Sequence, residues 1–435
     1  LNTPLTLPSG LVLPNRLAKA AMTEGLADTH NAPTSALVRL YERWGQGGAG
    51  LLLTGNVQVD PHHLERPGNV VLAGTPTPQA LAALTAWSIA ARQNGAKVLM
   101  QLNHAGRQTP VYVNARPSAP SDVPLNLPGK VFGSPRSMET EEIDALIVAF
   151  ANAAEIAQQT GFDGVQIHAA HGYLISQFLS PLSNRRSDKW GGPLACRVRF
   201  LLAIITAVRA RCGDGFTLSV KLNSSDFQKG GFSETDALAV TDWLRAAKID
   251  LLEISGGTYE RPRMAGLVGI DEVDVPRIAK GGEEALTSTR KREAYFQDFA
   301  KLVRARANMP VMVTGGWRNR GSMQAALAEG DTDLIGLGRP LCAEPEACRS
   351  LLTGESQALT AWEQHLRLGP GRFLGPNSPV GMLKLANGWG TQGWYCLQLL
   401  RMGAGLQPDL KMPVWKALLD YRASEMRAAK ALHRG

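Results

Sequence analysis

Cysteine is scarce: Cys196, Cys212, Cys342, Cys348 and Cys396 are the five in 435 residues. They are scattered, odd in number and free of any Cys-x-x-Cys step. That excludes a disulfide-framework domain and points to reduced thiols in the cytoplasm. Long apolar runs are also missing. None approaches the roughly 20 residues that span a bilayer, so no membrane association is expected. The first sixteen residues hold no basic stretch leading into an apolar run, so no signal peptide is expected, although a chain that starts at Leu1 leaves a cleaved leader open. Blocks of five or six like charges are absent as well. The net charge of +8 therefore does not read as a nucleic-acid surface. The last 35 residues carry seven Lys/Arg against three Asp/Glu, which places about half of the excess in one amphipathic tail. A basic site for an anionic cofactor accounts for part of the rest.

What is present is a repeating rhythm. Short apolar runs recur at 17–22, 50–55, 97–102, 164–168, 217–222, 250–255, 310–314 and 333–338, mostly with helix-period segments between them, such as 141–160 and 195–211. Eight such units predict an α/β fold, a (β/α)8 TIM barrel over residues 1–345, with strands apolar enough to be buried on both faces. The helix at 141–160 has an acidic first turn and reads as capped by Thr140. Residues 5–13 read as an N-terminal hairpin across the barrel floor. Two long loops, 107–138 after the third strand and 256–293 after the sixth, are expected to act as lids. Residues 346–435 read as a helical C-terminal extension, including a helix at 413–432, packed on the barrel or on a partner subunit.

The strand ends carry the chemistry. In order they offer Ala21, Met22 and Thr23; Gly55; Gln101 with Asn103 and His104; His168, His171 and Tyr173; Lys221; Ser255-Gly256-Gly257; Gly315-Gly316; and Gly338-Arg339. A TIM barrel brings all of them to one mouth. Gly-Gly at the seventh strand and Gly-Arg at the eighth lie where barrels bind phosphate through backbone N–H groups. Gln101 and Lys221 supply an amide and a cation for a planar ring on which negative charge develops. Alone, each element has a plain reading: tight turns for the glycines, satisfied lumen residues for Gln101 and Lys221, packing for Tyr173. His168-x-x-His171 has the spacing of a metal pair, but no third ligand is evident, so no metal site is expected. The co-occurrence at successive strand ends favours function.

The stretches Pro14-Asn15-Arg16-Leu17, Gln101 to Arg107, His168-Ala169-Ala170-His171-Gly172-Tyr173 and Gly336-Leu337-Gly338-Arg339, with 179–192, closely resemble the old yellow enzyme family, the FMN-dependent NADH:flavin oxidoreductases and ene-reductases. The resemblance covers roughly residues 3–345. It implies non-covalent FMN, with its phosphate at Gly316, Gly338 and Arg339, Gly315 also at the cofactor, its pyrimidine edge at Gln101 and Lys221, and its ring lined by Ala21, Met22, Thr23 and Gly55. It also implies NADPH or NADH as reductant and a small-molecule activated alkene as substrate. His168 and His171 would then polarise the substrate oxygen, and Tyr173 would donate the proton. The chain departs from the family pattern in its Lys221, where many members carry Arg, in both long loops and in the extension. The cysteine cluster that holds an iron–sulfur centre in longer relatives is missing after the barrel, and so is a flavin-linking cysteine near residues 20–30. Two other readings stay open: the same FMN barrel acting on a dienoyl-CoA or amine, and a flavin-binding interaction module with little turnover. Homo-oligomerisation is also open.

Overall fold

The computed structural model describes residues 1–125, 127, 131–256 and 299–432. Eight parallel strands close on themselves: β1 Leu17–Lys19, β2 Leu51–Leu53, β3 Lys97–Asn103, β4 Gly164–Ala169, β5 Thr217–Asn223, β6 Leu251–Ser255, β7 Val311–Thr314 and β8 Leu334–Leu337. β8 pairs with β1 through Ile335↔Leu17, and β2 with β3 through Leu51↔Lys97, which completes the ring. A two-residue strand, Val57–Gln58, extends the sheet beside the end of β3. The eight expected strands are all present, and the first is shorter than the apolar run that announced it.

Alternation along each strand sorts the side chains. Leu17, Leu52, Val98, Val165, Leu218, Leu252, Val311 and Ile335 belong to the large cluster between strands and helices. Ala18, Leu51, Leu53, Leu99, Leu251, Met312 and Leu334 belong to a second cluster with Leu5, Leu7 and Leu13 of the hairpin Leu5–Thr6/Val12–Leu13. The hairpin thus plugs the floor, as its position in the sequence suggested. Inward positions are apolar low in the barrel and become polar toward the strand ends, because only the lower lumen is sealed from the mouth.

The outer layer includes α1 Ser35–Gln46, α2 Pro78–Ala91, α3 Thr140–Gln159, α4 Arg199–Cys212, α5 Glu234–Ala246 and α6 Arg320–Ala328. Thr34 caps α1 through its hydroxyl, and Ser233 caps α5. The N-cap of α3 is Glu139, not Thr140: Glu142 turns back to accept the Glu139 N–H at 2.9 Å, which draws Thr140 into the first turn. The helix expected over 195–211 is two pieces, Leu194–Arg197 and α4, joined at Val198. The 107–138 loop carries a short strand pair, Ser118–Ala119 with Arg136–Ser137. The second expected lid lies, from residue 257 onward, outside the described residues.

Two helices, α7 Gly381–Gly403 and α8 Val414–Leu432, pack together in the extension. Their close approach depends on Gly390 and Gly393: a Cβ at Gly390 would lie 2.6 Å from Val414 Cγ1 and one at Gly393 2.9 Å from Tyr421 Cβ. The pair sits on this chain's own barrel. Gly403 O accepts from Arg39 Nε of α1 at 2.9 Å, and buried Arg66 ion-pairs with Glu425 beneath the Tyr421 ring. Among the described residues no helix is long and apolar enough to cross a membrane.

Candidate active site

β4 delivers the histidine pair. His168 points inward by alternation, opposite Lys221 in the β4–β5 register. Its Nδ1 accepts the Ala170 N–H at 3.2 Å, which leaves the ring proton on Nε2. The chain then turns sharply. His171 has φ 61°, a left-handed conformation that costs a non-glycine residue about 1–2 kcal/mol. Three bonds impose it: Asn223 Oδ1 accepts the His171 N–H at 3.1 Å, Gln108 Nε2 donates to its carbonyl at 3.1 Å, and Ser255 Oγ lies 2.7 Å from its Nε2. The strain is held at the position that aims a candidate catalytic ring.

The turn brings His168, His171 and Tyr173 together. The His168 ring is 5.1 Å from that of His171 and 4.9 Å from that of Tyr173, both edge-on. Burial holds both imidazoles well below their ordinary pKa; His171 and Lys221 add to this at His168, and Lys221 adds to it at His171. Neutral rings can donate N–H hydrogen bonds to an oxygen without transferring a proton to it.

Beside them runs a polar layer across the lumen. Gln101 Nε2 donates to Gln166 Oε1 at 2.7 Å, Gln166 Nε2 donates to Glu253 Oε2 at 2.9 Å, and Glu253 Oε1 lies 2.9 Å from Lys221 Nζ. The order follows from register, since Gln101 faces Gln166 and Lys221 faces Glu253 directly across neighbouring strands. Gln101 and Lys221 are thus joined through two residues that the sequence reading did not single out. Inward alternation on β4 and β6 was the signal that could have found Gln166 and Glu253.

Ala21, Met22 and Thr23 follow β1, and Gly55 follows β2. A Cβ at Gly55 would lie 2.4 Å from the Met22 carbonyl, so only glycine lets the two segments meet. Glu24 Oε1 accepts the Gly55 N–H at 3.0 Å and the Tyr41 hydroxyl, and it lies 3.7 Å from Lys19 Nζ. Thr23 Oγ1 bonds Asn56 Oδ1 at 3.2 Å.

β7 and β8 form the remaining corner. Gly315 and Gly316 both have positive φ, 134° and 80°. A Cβ at Gly338 would approach nothing closer than Met22 Sδ at 3.9 Å, so space opens above it. Three buried polar atoms in this corner lack a hydrogen-bond partner among the described residues: Thr314 Oγ1, Arg318 Nε and Arg339 Nη1. Unpaired buried donors are costly. Two guanidinium donors beside glycine turns make a corner suited to an oxyanion such as a phosphate. Arg318 was not anticipated from the sequence.

His104, a strand-end candidate, has another partner. Its ring stacks on His63 at 4.3 Å, and both present a nitrogen to Asp60 Oδ2, His63 Nδ1 at 2.9 Å and His104 Nε2 at 3.6 Å. Their other nitrogens accept backbone N–H groups of Ser118 and Gly106. Both rings therefore turn an N–H toward the carboxylate: His63 hydrogen-bonds it, while His104 Nε2 stays just beyond hydrogen-bond reach, and the stacked pair ties the loop 60–63 to the end of β3.

The family model for NADH:flavin oxidoreductase/NADH oxidase matches residues 1–356. The NADH-dependent flavin oxidoreductase iliE of Hypocrea jecorina (strain QM6a) is 37% identical over 360 residues, 79% of this chain and 86% of that protein. Among solved structures, a 2-naphthoyl-CoA reductase in complex with 2-naphthoyl-CoA superposes with a TM-score of 0.72 at 25% identity; the match covers 89% of this chain and 57% of that one. An old yellow enzyme homologue from Zymomonas mobilis gives 0.65 at 25% identity, over 83% of this chain and 94% of its own. With a matching family model across most of its length and a barrel of the same architecture, the chain belongs to the NADH:flavin oxidoreductase/NADH oxidase family of old yellow enzyme type, and it is an FMN- and NAD(P)H-dependent oxidoreductase.

Proposed function

We propose that this oxidoreductase reduces the C=C bond of α,β-unsaturated carbonyl or nitro compounds. The observation that carries the reading is the cluster of two neutral imidazoles, His168 buried and His171 half-buried, with the Tyr173 ring 4.9 Å from that of His168. Gly315, Gly316, Gly338, Arg339 and Arg318 would hold the FMN phosphate. Gln101 and Lys221 would face its pyrimidine edge, and Ala21, Met22, Thr23 and Gly55 would line the ring. FMN, when bound, supplies hydride taken from NAD(P)H.

The chain's own residues do the rest. His168 Nε2–H and His171 would donate to the substrate oxygen as negative charge gathers there, and their neutrality keeps them donors rather than acids. A Ser255 hydroxyl donating to His171 Nε2 would leave the His171 proton on Nδ1. Tyr173 would protonate the α-carbon; a phenol stays protonated at neutral pH yet is acidic enough for an enolate. The test is an anaerobic titration with NADH and then 2-cyclohexenone. Bleaching followed by stoichiometric recovery of colour is expected. Bleaching without recovery would remove the enone class, and no bleaching at all would favour a flavin-binding module with little turnover.

The likeness to a reductase crystallised with an aryl-CoA thioester favours one variant of this reading, in which the activating carbonyl is a thioester. Comparing kcat/KM for cyclohexenone with that for an unsaturated acyl-CoA distinguishes the two.

A further inference from the structure

The extension reaches the phosphate corner. Its segment 357–359 runs against the loop after β7: Arg320 N donates to Gln357 O at 2.9 Å, Leu359 N donates to Arg318 O at 2.7 Å, and Asn319 and Ala358 form an antiparallel bridge. A 3-10 turn, Trp362–Gln364, follows, and Trp362 anchors it by donating to Glu344 Oε1 at 3.0 Å and stacking on Trp394 of α7. The turn projects Glu363 between two arginines. Its Oε1 lies 2.9 Å from Arg318 Nη2 and 3.6 Å from Arg339 Nη2, and its Oε2 accepts the Tyr395 hydroxyl of α7 at 3.2 Å.

Each guanidinium therefore has one edge committed. Arg318 donates Nη1 to the Trp317 carbonyl at 2.7 Å and Nη2 to Glu363 at 2.9 Å, and keeps Nε; Arg339 holds Nη2 against Glu363 as an ion pair at 3.6 Å, and keeps Nη1. The two kept donors are the buried ones without a partner among the described residues. Burial pushes the Glu363 carboxyl up, but Arg339 and Arg318 outweigh it and hold the group below its ordinary value, so it is an anion at neutral pH. Glu363 lies beyond residue 356, where the family match ends.

We infer that Glu363 is a positioning residue for the cofactor phosphate, holding Arg318 and Arg339 by one edge so that their remaining N–H groups meet the phosphate preorganised, and that the C-terminal extension is thereby part of the FMN site. An arginine already fixed on one side loses less freedom when it binds. A simple electrostatic view gives the opposite sign, because a carboxylate near a phosphate repels it, so the direction of the effect is decisive.

This inference rests on the phosphate lying at Arg339, and the test separates the two. The full-length protein is stripped of flavin and titrated with FMN and with riboflavin, which lacks the phosphate, by flavin fluorescence. In Glu363→Gln, FMN affinity is expected to fall at least tenfold while riboflavin affinity stays within twofold. Unchanged or tighter FMN binding overturns the inference, and so does an equal fall for both ligands, which marks a merely structural role. Arg339→Ala is the control: if it leaves the FMN-to-riboflavin ratio unchanged, the placement of the phosphate itself is wrong. If Glu363→Gln does not fold, Tyr395→Phe carries the same test by releasing Oε2 alone. A several-fold loss confined to FMN is then expected, and equal behaviour of the two flavins overturns it.

Discussion

Among the described residues two lysines are buried, each beside a glutamate, and their settings differ. Lys19 on β1 faces outward, between the sheet and α1. Its ammonium donates to Leu53 O at 2.7 Å, lies 3.7 Å from Glu24, and sits 4.4 Å from the Trp44 ring centroid. Lys221 on β5 faces inward, 2.9 Å from Glu253 and next to the histidine pair. Burial and pairing alone thus do not mark a site. The outward pair fastens two loops, because Glu24 also grips Gly55; the inward pair presents charge to the mouth. Burial pushes Lys19 down to about 8 despite the pull of Glu24.

The sharpest way to break this comparison is to remove each lysine. Lys19→Met leaves Glu24 buried without its cation and is expected to cost about 3–5 kcal/mol in urea unfolding, with the flavin midpoint potential unmoved in the folded protein. Lys221→Met is expected to lower that potential. A potential that responds to Lys19 and not to Lys221 would reverse the assignment.

Acid comes next in size. His104, pushed down to about 4 mainly by burial, and His168 and His171, held well below 6.5, stay neutral in the fold but bind protons once unfolded. The unfolded state then holds more protons, so stability rises with pH and is lost as pH falls from about 6.5 toward 4. Each histidine contributes up to about 1.4 kcal/mol per pH unit in that window. Urea midpoints at pH 7, 6 and 5 check this, and His104→Gln should flatten the slope by one histidine's share. A slope that does not change would mean that His104 is already charged in the fold.

Tyr173→Phe should leave flavin reduction by NADH intact and slow alkene reduction by about a hundredfold, the low end of general acid catalysis. Stopped-flow resolution of the two half-reactions measures it, and an unchanged oxidative half-reaction would remove Tyr173 as proton donor. The smallest effect concerns the inward pair alone. Glu253→Gln frees Lys221 from its counter-charge and should raise the midpoint potential modestly, opposite in sign to Lys221→Met. A lowered or unchanged potential would mean that Lys221 does not act on the ring through its charge.

The rhythm of apolar runs announced the barrel, because buried parallel strands must be apolar on both faces low in the sheet. The strand-end residues were legible because chemistry-bearing groups recurred where such runs stop. Thr140 misled as a cap because a carboxylate one residue earlier could do the same work. Lys19, Gln166, Glu253 and Arg318 passed unnoticed for a different reason. Each sits in or beside a strand that already read as core or turn, and its meaning comes from a partner on another strand or helix.

By itself, then, the sequence determined the class of fold, the order of the strands and the residues offered at their ends, since these follow from local periodicity. The tertiary structure alone decided which way each buried charge faces, which nitrogen of His168 carries its proton, and that Glu363 meets Arg318 and Arg339. Those facts depend on strand register, barrel closure and the path of the extension. They join residues as far apart as Gly55 and Glu24, 31 positions, or Arg318 and Glu363, 45 positions, and no local pattern in the chain encodes such distances.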